Sequence, residues 1–130
     1  TDEEWQQTIA FADAMPFSHI HIFAYSPRAG TKAATMPNQL SRSVKRARSR
    51  QLHTLAQTGR RQILARALGQ TFEVLIEGRN SDGSGWSGYT PNFLRVEIAG
   101  DTTRDLDNRI IRVRATALSA DGERLMARLA

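Results

Sequence analysis

The 130-residue chain has no cysteine. That excludes disulfides, a cysteine-held zinc, a cysteine nucleophile and any iron–sulfur cluster ligated by thiolates of this chain. It has no apolar run near the roughly 20 residues that a membrane span requires. Its first residues are acidic and polar, with neither a basic segment nor an apolar core, so a secretory leader is not expected. Without cysteine or a leader, the cytoplasm is the expected compartment. Aromatic residues are few, at 7%, so each of them matters. Acidic residues are absent from a long stretch: residues 14–72 hold ten Lys or Arg and no Asp or Glu.

What is present builds on that last absence. The net charge is +5, but it is unevenly spread: residues 1–13 carry four acids and no base, and residues 73–130 nearly balance with eight bases and nine acids. A middle without carboxylates cannot neutralise itself locally, so it projects a positive field towards polyanions. Sixteen of the eighteen bases are Arg, whose planar fork makes paired contacts with phosphate. A solvated basic face that only aids solubility is the competing reading.

The chain divides into three parts. Thr1 to Glu4 has the pattern of a capping box, opening a helix with Trp5, Ile9 and Ala12 on one stripe and ending before Pro16. Residues 17–25 alternate as a strand, with Ile20, Ile22 and Ala24 on one side and His19, His21, Phe23 and Tyr25 on the other. A Pro- and Gly-bearing loop follows at residues 26–31. Helix, strand and loop form a piece of an α/β repeat over 1–38, and one strand leaves two unpaired edges. Residues 39–69 read as a long basic linking helix, with Leu40, Val44, Ala47, Leu52, Leu55 and Ala56 on its apolar stripe, continued by Ile63, Leu64, Ala67 and Leu68, and Gly69 as its stop. A helix lying on an anionic membrane surface is a competing reading, weakened by the absence of Trp and Phe from the stripe.

From Thr71 the period becomes two. Five short strands are expected over 70–130: about 72–77, 86–89, 94–98, 111–117 and 125–129, with Leu94, Val96, Ile98, Ile111, Val113, Ala115 and Ala117 inward. Short strands separated by turns predict a small antiparallel barrel of the oligonucleotide-binding kind, so the fold class is α+β. Gly100 to Asp107 reads as a polar loop.

The best binding constellation is on that barrel: Trp86, Tyr89, Asn92, Phe93, Arg95, Arg112 and Arg114. Rings stack on unpaired bases and Arg pairs with phosphate, as single-stranded RNA binding requires. Burial in the core is the alternative for Trp86, Tyr89 and Phe93. On the helix, Arg42, Lys45 and Arg46 are placed to add phosphate contacts. His19 and His21 share a strand face but lack a third metal ligand, and His53 reads as solvated. No nucleophile–base pair stands out, Ser18 and Ser26 included, so no catalytic or metal residue is assigned.

Two stretches carry a family resemblance. Residues 17–34, containing the run Tyr25-Ser26-Pro27-Arg28-Ala29-Gly30-Thr31-Lys32-Ala33-Ala34, closely resemble a segment of the tRNA methylthiotransferases. Residues 88–96, Gly-Tyr-Thr-Pro-Asn-Phe-Leu-Arg-Val, are similar to the TRAM domain of the branch acting on threonylcarbamoyladenosine. The resemblance implies a C-terminal portion of a radical S-adenosylmethionine enzyme: the end of its barrel, a linking helix and a TRAM domain that binds the tRNA anticodon stem-loop. It implies S-adenosylmethionine near Phe23, Tyr25, Ser26 and Arg28, and two [4Fe-4S] clusters held by N-terminal domains missing here. A chain without cysteine is expected to be inactive alone. A stand-alone, non-catalytic RNA-binding module is the alternative, and an exposed strand edge would allow a strand-exchanged dimer.

Overall fold

The computed structural model describes residues 1–17, 19–100 and 103–130. It divides into two compact units, Thr1–Gln57 and Thr58–Ala130. Ser18, and residues 101–102 of the loop expected from Gly100 to Asp107, lie outside the described residues.

In the first unit, α1 spans Asp2–Ala14. Its N-terminus is closed as the sequence predicts: the Thr1 side chain accepts from the Glu4 backbone N–H, and the Glu4 carboxylate accepts from the Thr1 amino group at 2.8 Å. Those bonds hold the Glu4 carboxyl below its ordinary pKa, chiefly through the terminal amino group and then the Thr1 hydroxyl. Trp5, Ile9 and Ala12 are half-buried on one stripe. Trp5 donates to Gln51 at 2.8 Å, Arg48 pairs with Asp2 at 2.9 Å, and the Arg48 guanidinium lies 5.2 Å from the Trp5 ring centre. A one-turn helix, α2, covers Lys32–Thr35.

Of the strand expected at residues 17–25, the described part is not a strand: residues 19–28 are irregular. A strand is defined by its ladder, and no strand pairs with this segment among the described residues. The alternation of side chains survives without the ladder. Ile20 and Ile22 are half-buried, while His19 and His21 are exposed on one side, their rings 4.5 Å apart and edge to face.

Helix α3 runs over Arg42–Ala67, shorter at both ends than the 39–69 expected. Gly69 follows in the left-handed region (φ 79°), where a Cβ would strain the backbone, and its N–H donates to the Ala115 carbonyl at 2.9 Å. In the second unit, Leu64 and Ala67 of α3 join the core of the barrel.

That barrel comprises β1 (Thr71–Arg79), β2 (Gly85–Tyr89), β3 (Arg95–Ala99), β4 (Ile110–Leu118) and β5 (Leu125–Leu129), closed in the order β1-β2-β3-β5-β4. All five expected strands are present. The expected antiparallel arrangement needs one correction: β3 pairs with β5 in parallel, so the barrel is mixed. β4 is antiparallel to β5, so the chain reverses between β3 and β4 and again between β4 and β5, which leaves β3 and β5 running the same way. This is the Greek-key closure of an oligonucleotide-binding barrel, which removes the free sheet edges.

Val74, Ile76, Val96, Ile98, Val113 and Leu125 are at most 1% exposed and form the centre of the core. Leu106, assigned by composition to a polar loop, is buried with them. The chain after it is tied to β1 by Asn108 donating to Ile76 and Ile76 donating to Arg109, both at 2.9 Å. Ala117 is also corrected: a bulge between Ala115 and Ala117 breaks the alternation, so Ala117 is exposed and Leu118 packs against the core in its place. Gly88 has no room for a side chain, since a Cβ there would stand 2.1 Å from the Leu75 carbonyl oxygen.

Candidate nucleic-acid interface

Register decides what the outside of the barrel presents. Tyr89 is opposite Arg95 on one side and Leu75 on the other, and Leu75 is opposite Ile110. Arg95, Tyr89, Leu75 and Ile110 therefore form one continuous outward row across β3, β2, β1 and β4. Along β4 the outward residues continue with Arg112, opposite Glu73, and Arg114, which lies between Thr71 of β1 and Arg128 of β5. Arg128 extends the basic face and was missed in the sequence reading, although it alternates outward between Ala127 and Leu129. Arg95, Arg112, Arg114 and Arg128 are exposed and have no ion pair among the described residues.

Phe93 stands beside the row rather than in a strand. It belongs to a tight turn from Thr90 to Leu94, with φ at 63° and the side chain 79% exposed. A bulky residue in the left-handed region is strained and persists only where its surroundings impose it. Here they do. Thr90 is buried; its hydroxyl donates to Asn92 at 2.6 Å and accepts from the Leu94 N–H at 3.0 Å, and the Phe93 N–H donates to the Thr90 carbonyl at 2.9 Å. Asn92 thus has its carbonyl oxygen engaged in holding the turn, while it remains exposed. Together Phe93, Pro91, Tyr89, Leu75 and Ile110 line an open groove of about 370 Å³, with Glu73, Glu77 and Thr90 completing it.

Trp86 requires a correction. It is 2% exposed and belongs to the core, opposite Ile98, so its ring is not available to stack on a base. Residues three apart in a strand face opposite sides, so Trp86 and Tyr89 cannot both face outward. The Arg79 guanidinium covers the ring at 4.6 Å.

The first unit carries a second basic feature. Lys45 reaches back to the irregular segment: its ammonium donates to the Tyr25 carbonyl at 3.2 Å and lies 5.2 Å from the Tyr25 ring centre. A cleft of about 480 Å³ results, lined by Ala24, Tyr25, Ser26 and Pro27 on one side and by Arg42, Lys45, Arg46, Ser49 and Arg50 on the other. The structure thus brings Tyr25 and Ser26 to the helix bases Arg42, Lys45 and Arg46. It does not bring Phe23 or Arg28 into that cleft, and Phe23 is 87% exposed. His53 is exposed, and no group of three His, Asp or Glu capable of holding a metal occurs among the described residues. Among those residues no helix is long and apolar enough to cross a membrane.

Sequence comparison adds what geometry cannot. No protein-family model matches the chain. The tRNA-2-methylthio-N(6)-dimethylallyladenosine synthase of Moorella thermoacetica is 34% identical over 117 residues, 89% of this chain and 26% of its own length. The chain is homologous to the tRNA methylthiotransferases. Another relative, the threonylcarbamoyladenosine tRNA methylthiotransferase MtaB of Bacillus subtilis, is 30% identical over 88% of this chain and 26% of its own length. The dimethylallyladenosine synthase of Chloroflexus aurantiacus is 33% identical over 92% and 26%. The chain therefore spans about a quarter of the length of the curated relatives it matches, and both branches match it at comparable identity, so identity does not separate them. Among solved structures, the apo form of Mycoplasma genitalium RNase R aligns over 68% of this chain and 17% of its own. The TM-score is 0.45 and the identity 11%, too slight a likeness to carry an argument.

Proposed function

We propose that this chain is the tRNA-holding, C-terminal portion of a methylthiotransferase that modifies the adenosine beside the anticodon. In this reading residues 1–38 end the radical barrel, 39–69 link, and 70–130 form a TRAM domain. The outward row of the β-barrel grips unpaired nucleotides of the anticodon loop, and Arg42, Lys45 and Arg46 hold phosphates of the arm. The observation that carries this reading is the joining, in one surface, of an imposed exposed ring at Phe93, the Tyr89 row and the unpaired cations Arg95, Arg112 and Arg114. Stacking and phosphate neutralisation are the two contributions that single-stranded RNA binding needs. The motif at residues 88–96 favours threonylcarbamoyladenosine over dimethylallyladenosine as the modified base.

The group-transfer chemistry belongs to the longer protein. With no cysteine, this chain supplies no thiolate to either [4Fe-4S] cluster that the resemblance implies. Phe23, Tyr25, Ser26 and Arg28 do not converge on a shared pocket here, so no cofactor step is assigned to them.

Titration of the chain with an anticodon stem-loop tests the reading. With about five phosphates neutralised, affinity falls about a hundredfold on a fourfold rise in salt, since each single-strand contact contributes a slope of roughly −0.7. Affinity that is unmeasurable at low salt, or indifferent to salt, overturns the reading.

A further inference from the structure

The groove beside Phe93 contains two residues that phosphate binding cannot explain. Glu73, Leu75 and Glu77 alternate outward along β1, so two carboxylates flank the apolar centre of the groove. On a face that attracts a polyanion, each carboxylate opposes phosphate. Glu73 stands opposite Arg112 in register, yet no ion pair joins them among the described residues. An ionised carboxylate only accepts hydrogen bonds. The groove therefore combines an aromatic and aliphatic wall with acceptors and no side-chain cation. At about 370 Å³ it lies near the lower end of small-ligand pockets, a size for one ring system rather than a helix.

We propose that this groove holds one unpaired nucleobase and that Glu73 and Glu77 select a base bearing an exocyclic amino group. The inference rests on the RNA-holding function argued above and adds to it which bases are accepted. The base lies against Phe93 and Tyr89, and its amino group donates to a carboxylate. The flanking phosphates meet Arg95, one cross-strand step from Tyr89, and Arg112, one step from Glu73. Cytosine offers its N4 amino group, adenine its N6 amino group, and guanine its N2 amino group with the N1–H. Uracil offers a single N–H between two carbonyl oxygens, and those oxygens face the carboxylates unfavourably.

Hexacytidylate and hexauridylate isolate this property, because each presents one pyrimidine ring of equal size on the same backbone. They differ at the amino or carbonyl group on C4 and the proton on N3, and the carboxamide variant separates that difference from stacking. Fluorescence anisotropy of the 130-residue chain at low salt is expected to find hexacytidylate bound about tenfold more tightly. In the double variant Glu73→Gln, Glu77→Gln the ratio is expected to approach one, with hexauridylate gaining affinity, because an amide both donates and accepts and carries no charge. Both positions are exposed, and the thermal midpoint of the variant is expected to match the parent. Equal binding of the two oligonucleotides by the parent, or an unchanged ratio in the variant, overturns base selection while leaving RNA holding intact. Binding of neither oligonucleotide overturns both.

Discussion

Replacing Arg112 and Arg114 together with glutamate is expected to weaken binding of an anticodon stem-loop by about a hundredfold or more, since each charged hydrogen bond contributes about 1.5–3 kcal/mol. The two side chains point outward on β4, are exposed, and have no ion pair among the described residues to compete for them. Their loss should act alike on all tRNAs, because phosphate contacts position a nucleic acid without reading it. Glutamate at 112 would also face Glu73, a like-charge pair costing about 0.2–1 kcal/mol of barrel stability. The neutral pair Arg112→Gln, Arg114→Gln removes that complication and is expected to lose affinity by a smaller factor, with a shallower salt slope. A salt slope unchanged in the neutral variant would place the phosphates elsewhere.

Trp86→Ala is expected to do the opposite: unfold the barrel rather than disable its surface. Truncating a buried Trp costs about 3–5 kcal/mol. For a unit of this size each kcal/mol moves the midpoint by about 4–8 °C, so a fall of at least about 12 °C is expected in thermal unfolding. Tyr89→Ala and Phe93→Ala should change the midpoint little and weaken RNA binding by about 1–3 kcal/mol each, the worth of one stacked base. A Trp86→Ala chain that melts like the parent but no longer binds RNA would place that ring outside the core, contrary to its 2% exposure.

The contrast between Trp86 and Tyr89 shows how the sequence could be read and where that reading failed. Alternation gave the inward faces of β3 and most of β4, since Val96, Ile98, Val113 and Ala115 repeat at two-residue intervals and are buried. The same rule, applied to Trp86 and Tyr89, separates them by three positions and sends one inward. Grouping the two rings by chemistry overlooked that parity. Ala117 failed for another reason: the bulge before it is a backbone irregularity with no side-chain signature. The parallel β3–β5 pairing depends on closing the barrel between segments distant in sequence, which local patterns do not report. At residues 19–25 alternation is present without a strand, because periodicity describes side chains while a strand needs a neighbour.

The candidate site divides in the same way. Arg95, Arg112 and Arg114 were visible from alternation alone, and the same alternation along β5 places Arg128 outward. The outward display of Phe93 was also expected from alternation; what alternation does not report is its cause, a left-handed backbone fixed by Thr90 and Asn92. Nor does it report the groove, in which Glu73 and Glu77 meet Phe93 only after β1, β2 and β4 are set side by side. Charge patterning predicted the basic face of α3 but not the cleft, whose other wall is set by the contact of Lys45 with the Tyr25 carbonyl.

The central claim is that RNA lies on the outward row of the barrel. Amide and indole resonances of the nitrogen-15-labelled chain, followed while unlabelled anticodon stem-loop is added at low salt, test it most directly. The account predicts the largest changes at Tyr89 to Arg95, Leu75, Arg112 and Arg114, with the Trp86 indole resonance nearly unmoved. Changes gathered instead on the Asn80 to Gly85 turn, or no changes on the barrel at all, would contradict it.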